Sequence, residues 1–128
     1  MKKLLALLVT LGTLNLATGY AYAQNVNFKT VQTEVSNKQA ILLDVRTEQE
    51  YAEGHLNQAI LAPHDTIEQT IGKITTDKNQ KIYLYCKSGR RSAIAVSTLK
   101  AIGYNQLIDL GSINELKKQG AEITNKNP

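Results

Sequence analysis

Between Lys81 and Val96 the chain passes from a β-favouring apolar run, Lys81-Ile82-Tyr83-Leu84-Tyr85-Cys86, into six residues nearly free of apolar surface, Lys87-Ser88-Gly89-Arg90-Arg91-Ser92. An Ala/Ile/Val-rich helical pattern then begins. A short unbroken run of this composition suits a strand buried on both faces, and the small residues after it suit a helix lying close on the sheet. Strand, loop and helix in that order, with further strands and helices alternating along the chain, predict an α/β domain with a mostly parallel central sheet and helices on both faces. Ligands of such sheets gather beyond the carboxyl ends of the strands, and Cys86, the single cysteine, sits at that edge.

A lone cysteine is ordinarily a small buried hydrophobe. The neighbours of Cys86 argue for chemistry instead. Lys87, Arg90 and Arg91 supply three cations, Gly89 can take a positive φ, and Ser88 and Ser92 carry hydroxyls. Loop amides curled around the sulfur, a helix N-terminus beyond it and nearby cations all favour thiolate over thiol. The residues after Cys86 therefore describe an activated sulfur nucleophile.

A second informative stretch lies upstream. Ala40 to Val45 is almost uniformly apolar, as expected of a buried parallel strand, and ends on Asp44 and Arg46. Thr47 and Glu50 have the spacing of a capping box, so a helix is predicted to start there. Asp44, flanked by Leu43 and Val45, is read as a buried acceptor for loop amides or a partner of Arg46 rather than a general acid or base. Arg46 and Glu50, at i and i+4, are predicted to pair. Gly54 is a helix C-cap, and His55 after it has no neighbours that would complete a triad, so its role is structural.

Cys86-x-x-Gly89-x-Arg91, between an apolar strand and a helix, resembles the active-site loop of the rhodanese (sulfurtransferase) family. Leu42 to Leu56 resembles that family's upstream signature through Asp44-x-Arg46, Glu50-Tyr51 and Gly54-His55-Leu56. The likeness covers roughly residues 28 to 119 and is greatest to the small secreted single-domain type. It implies a sulfurtransferase in which Cys86 attacks the sulfane sulfur of a donor such as thiosulfate, holds it as a persulfide and passes it to cyanide or a thiol. Lys87, Ser88, Gly89, Arg90, Arg91 and Ser92 would bind the substrate, with Arg91 as the cation the family pattern places inward. Asp44, Arg46, Glu50 and His55 would support the site. No cofactor is implied. No metal is expected either, since His64 and Asp65 lack a third ligand.

The chain departs from the family at two places. Asn57-Gln58-Ala59 stands where Pro-Gly-Ala is common, and Gly111-Ser112 with Leu116 stands where Gly-Gly and a tryptophan are usual; the protein has no tryptophan. Two other functions compete. Cysteine-dependent phosphatases and arsenate reductases place their arginine six positions after the nucleophile, whereas Arg91 comes at five. A module that keeps the fold without catalysis, or merely carries sulfur for a partner, is the other.

The chain opens with Met1-Lys2-Lys3, a leucine-rich stretch from Leu4 to Leu16, and Ala21-Tyr22-Ala23, the small residues a signal peptidase reads. Residues 1–23 are therefore expected to be a removed signal peptide and 24–128 the mature domain, exported to the periplasm. The apolar stretch is shorter than the ~20 residues a bilayer requires, so no membrane attachment is expected after cleavage. Removing 23 of the 128 residues leaves 105, enough for one modest core; with Lys2 and Lys3 gone, 13 of the 15 basic residues face 11 acidic ones, a net +2. That balance argues against a nucleic-acid partner. The expected partners are a small-molecule sulfur donor and a thiophilic acceptor, and the expected state is a monomer. A brief helix over Thr30 to Ser36, helices after Thr66 and Ser112, and a loose tail from Ala121 to Pro128 complete the expectations.

Overall fold

The computed structural model describes residues 21–22 and 26–127. In chain order the elements are β1 (Ala21–Tyr22), α1 (Phe28–Ser36), β2 (Ala40–Asp44), α2 (Glu48–Glu53), β3 (His55–Leu56) and β4 (Ile60–Leu61). After these come α3 (Ile67–Ile74), β5 (Lys81–Cys86), α4 (Arg90–Ala101), β6 (Gln106–Ser112), α5 (Ile113–Lys118) and β7 (Ile123–Thr124).

The two apolar runs form the central strands. β2 and β5 pair in parallel with Leu42 beside Tyr83 and Asp44 beside Tyr85. Alternation then decides which layer each side chain enters. Leu42, Tyr83 and Tyr85 join Phe28, Val31, Tyr51, Leu56, Ile113 and Leu116 in one core, which puts α1, α2 and α5 on that face. Leu43, Ile82, Leu84 and Cys86 join Ile67, Ile71, Ala95 and Leu99 in the other, beneath α3 and α4. Leu43, Leu84 and Leu99 lose all contact with water, each contributing roughly 1.5–3 kcal/mol.

The main sheet is parallel throughout, in the order β1-β6-β5-β2-β4. From β2 the chain moves outward to β4, returns through α3 to β5, and then continues outward on the opposite side to β6. The connections diverge between β2 and β5, which opens a crevice at the carboxyl ends of these two strands. Where β6 meets the end of β5, Leu84 lies beside Asp109 but Tyr85 beside Gly111, so Leu110 is the extra residue of a bulge. Gly111 accommodates it at φ +75°, its N–H donating to Asp109 Oδ1 at 2.8 Å.

Three boundaries differ from the sequence expectation, each for a local reason. α1 starts at Phe28 rather than Thr30, because the Asn27 side chain accepts from the Lys29 N–H at 2.9 Å and Phe28 itself is buried. α4 starts at Arg90, inside the polar run that precedes the helical pattern in the sequence, because the left-handed turn at Gly89 already delivers the chain into the helix. The tail after Ala121 is not loose. Ile123 and Thr124 pair antiparallel with Leu56 and His55, and the Asn57 N–H donates to the Glu122 carbonyl at 3.0 Å.

The expected signal peptide lies outside the described residues except for Ala21 and Tyr22, which run beside Ile108 and Asp109 of β6. Among the described residues no helix is long and apolar enough to cross a membrane.

Candidate active site

Cys86 is the last residue of β5, and alternation turns its side chain toward α4, fully buried. Lys87, Ser88 and Gly89 alone separate the strand from the helix. Gly89 adopts φ +95°, ψ −16°, a left-handed conformation that would cost a residue with a Cβ about 1–2 kcal/mol. This turn aims the Gly89 N–H, the N-cap amide of α4, at the sulfur, with N···Sγ 2.9 Å. Ser92, one turn into α4, completes the cradle. Its Oγ lies 3.4 Å from Sγ, accepting from the thiol, and donates to the Gly89 carbonyl at 3.1 Å. An amide, a hydroxyl and the positive end of a twelve-residue helix thus converge on one sulfur atom.

Arg91 is anchored from the other side of the crevice. Its two Nη atoms donate to the two carboxylate oxygens of Glu50 at 2.6 and 2.9 Å. Glu50 is itself held by the capping box of α2, its Oε1 accepting from the Thr47 N–H at 3.2 Å and the Thr47 hydroxyl at 3.0 Å. The Arg91 hydrogen bonds, followed by those from Thr47, overcome partial burial and bring the Glu50 carboxyl down to about 2. Pairing with Glu50 raises the Arg91 guanidinium further, and the sulfur of Cys86 contributes in the same sense.

The predicted pair of Arg46 and Glu50 does not form. Arg46 precedes the N-cap Thr47, so it is not on the helix face that the i, i+4 rule describes. It turns back to Asp44, with Nη2 2.6 Å from Oδ2, and donates also to the Gly54 carbonyl at 2.7 Å. Asp44 accepts in addition from the Arg46 N–H at 3.0 Å and the Tyr85 hydroxyl at 2.7 Å. Burial works against the Arg46 charge, but Asp44 outweighs it and the guanidinium titrates above its usual range. Burial, then the charge of Asp44, raise the Tyr85 phenol, which therefore stays a donor.

His55 stacks on Tyr51 with ring centroids 3.6 Å apart. Its Nδ1 lies 2.8 Å from the Tyr51 carbonyl oxygen and its Nε2 3.0 Å from that of Lys126. It joins α2 to the C-terminal segment.

Arg46, Glu50 and Lys87 face a cleft of about 270 Å³ whose other walls are Glu53, Gly54, Ile113, Asn114, Lys117 and Ile123. The ammonium groups of Lys87 and Lys117 have no side-chain partner among the described residues. Ser88 and Arg90 are exposed on the loop and the first turn of α4. The structure therefore brings Cys86, Gly89 and Ser92 into contact, sets Arg91 on Glu50, and leaves Lys87, Ser88 and Arg90 facing outward. Sequence reasoning missed Tyr85, whose signal was available: the parallel register of two buried strands places it beside Asp44. It also missed Asn114, Lys117 and Ile123, for which no local pattern exists.

A family model for the "Rhodanese-like domain" matches residues 27–119. The thiosulfate sulfurtransferase PspE of Escherichia coli (strain K12) is 30% identical over 74 residues, 58% of this chain and 71% of that protein. The putative sulfur carrier protein YrkF of Bacillus subtilis (strain 168) is 32% identical over 75 residues, 59% of this chain but 40% of the relative. Among solved structures, a rhodanese with anions from E. coli superposes with a TM-score of 0.62 at 25% identity, covering 68% of this chain and 99% of its own.

Proposed function

For a chain that belongs to the rhodanese-like sulfurtransferase family, as this one does, we propose a thiosulfate-type sulfurtransferase that works through a Cys86 persulfide. The observation that carries the reading is the Gly89 amide seated on the Cys86 sulfur at 2.9 Å. A donor preorganised on the nucleophile also stabilises the anion that replaces it, because a persulfide keeps negative charge in the same cradle.

The chemistry balances in two displacements. The Cys86 thiolate attacks the outer sulfur of thiosulfate; a new S–S bond forms, the old one breaks, and sulfite leaves with the bonding pair. A thiolate or cyanide then attacks the outer sulfur of the persulfide, and Cys86 departs as thiolate. The sulfane sulfur loaded in the first step leaves in the second, and Cys86 ends the cycle as the thiolate it began as, so donor and acceptor balance each other and no separate oxidant or reductant is needed. Lys87, on the wall of the cleft, and Arg90, exposed on the first turn of α4, draw in the dianionic donor, while Ser92 and Gly89 hold the sulfur.

Phosphate transfer is the competing chemistry for such a loop. Arg91 stands five positions after Cys86, and both its Nη atoms are committed to Glu50, which supports a ring that encloses one sulfur rather than a phosphoryl group. The deciding experiment incubates the protein with thiosulfate or an aryl phosphate. Addition of ~32 Da to the intact mass, followed by turnover to thiocyanate on adding cyanide, is the expected result. Aryl phosphate cleavage without sulfur loading would overturn the proposal, and loading without turnover would mark a carrier.

Export to the periplasm belongs to the same proposal and rests on Met1-Lys2-Lys3, the leucine-rich stretch and Ala21-Tyr22-Ala23. Edman sequencing of the protein from cell fractions should begin at Gln24.

A further inference from the structure

The fork between Glu50 and Arg91 spans the crevice from α2 to α4 and consumes both carboxylate oxygens and both terminal nitrogens of the guanidinium. Two opposite charges at bonding distance form a dipole whose field fades far faster with distance than that of either alone. Arg91 directly precedes Ser92, whose Oγ lies 3.4 Å from the Cys86 sulfur, and Arg46, the next guanidinium, is already matched by Asp44. The cleft adds Glu53 against Lys87 and Lys117. Of the three cations beside Cys86 in the sequence, one is thus neutralised in place, while Lys87 lines the cleft and Arg90 is exposed on the first turn of α4.

We propose that Glu50 is a positioning and selectivity residue: it fixes Arg91 at the flank of Cys86 while cancelling its charge, so that attraction of anions to the sulfur falls to Lys87 and Arg90. This deepens the sulfurtransferase reading and rests on it for its biological meaning, although not for its test. The arrangement has a chemical rationale. A full guanidinium charge over the sulfur would hold donor, thiolate and persulfide more tightly, and a sulfur nucleophile grows less reactive as its anion is stabilised. Arg91 in its fork shapes the loop without that penalty.

The test reads the field at the sulfur by alkylation at one fixed pH, comparing iodoacetate, an anion, with neutral iodoacetamide. Glu50→Gln is the informative variant because glutamine at this position still closes the capping box with Thr47, leaving the helix start intact. It is expected to raise the iodoacetate-to-iodoacetamide rate ratio on the order of fivefold, the effect of one charge a few ångströms away in water. Arg91→Gln, which strands the Glu50 carboxylate, is expected to lower the ratio. The double variant replaces one neutral pair by another and should return it to the wild-type value. Equal acceleration of both reagents by Glu50→Gln would mean a loosened loop, and a lowered ratio in the double variant would mean that Arg91 attracts anions despite Glu50; either overturns the proposal. Alkylation needs no sulfur transfer, so failure here is distinct from failure to gain sulfur from thiosulfate.

Discussion

The amide nitrogen of Gly89 stands 2.9 Å from the sulfur of Cys86, and it is the left-handed backbone of Gly89 that turns it there. A Cβ at this position would meet nothing closer than Gly111 Cα at 3.9 Å, so the obstacle to substitution is backbone strain rather than collision. Gly89→Ala should lower stability by about 1–2 kcal/mol in urea unfolding. If the loop escapes the strain by turning the amide away, sulfur loading from thiosulfate should slow roughly tenfold or more, the worth of one hydrogen bond to an anion.

Cys86→Ser should abolish sulfur loading, seen as no gain of mass with thiosulfate. The hydroxyl inherits the Gly89 and Ser92 partners in the same space, so the protein should still unfold cooperatively. Residual turnover would remove Cys86 from its role.

Tyr85 joins two segments at once, donating to Asp44 at 2.7 Å and accepting from the Leu56 N–H at 3.0 Å. Tyr85→Phe leaves the buried Leu56 amide without a partner and Asp44 to Arg46 alone, and is expected to cost about 1–3 kcal/mol. Asp44→Ala leaves the Arg46 guanidinium, 7% exposed, without its carboxylate and should cost more, about 3–5 kcal/mol. Paired thermal and urea unfolding would order the two variants.

Acid should weaken the fold partly through Glu50. Its carboxyl is lowered from 4.5 to about 2 by the Arg91 hydrogen bonds. A group depressed in the folded state stabilises fully above its unfolded value, and that stabilisation is lost as pH falls from 4.5 toward 2. Glu50→Gln has no such titration, so the stability gap between wild type and variant, measured by urea unfolding, should shrink as pH falls through that interval.

The C-terminal segment is structural. A chain ended at Ala121 loses the pairing of Ile123 and Thr124 with Leu56 and His55, and the Lys126 carbonyl beside His55. A destabilisation of about 1–2 kcal/mol is expected from a few partly exposed backbone hydrogen bonds. An unchanged melting temperature would show that the segment contributes nothing.

Much of this was legible in local patterns. Unbroken apolar runs announced β2 and β5 as buried parallel strands. Thr47 and Glu50 announced α2 through a capping box that the structure contains. Ser112, expected to open the last helix, accepts from the Asn114 N–H at 3.2 Å. Local rules also erred where they were stretched beyond their geometry. The i, i+4 rule failed for Arg46 because that residue stands before the helix, and the polar tail looks loose in sequence because its partner strand lies 67 to 69 residues upstream.

By itself the order of residues determined which atoms the loop offers: a thiol, a glycine free to turn left-handed, two hydroxyls and three cations, between a strand and a helix. Those are properties of adjacent residues and of short-range backbone sterics. Which cation meets which carboxylate was decided only when the sheet brought α2 beside α4 and set Glu50 against Arg91 across 41 positions. Charge attraction is indifferent to sequence distance, and its partners are chosen by where packing leaves them.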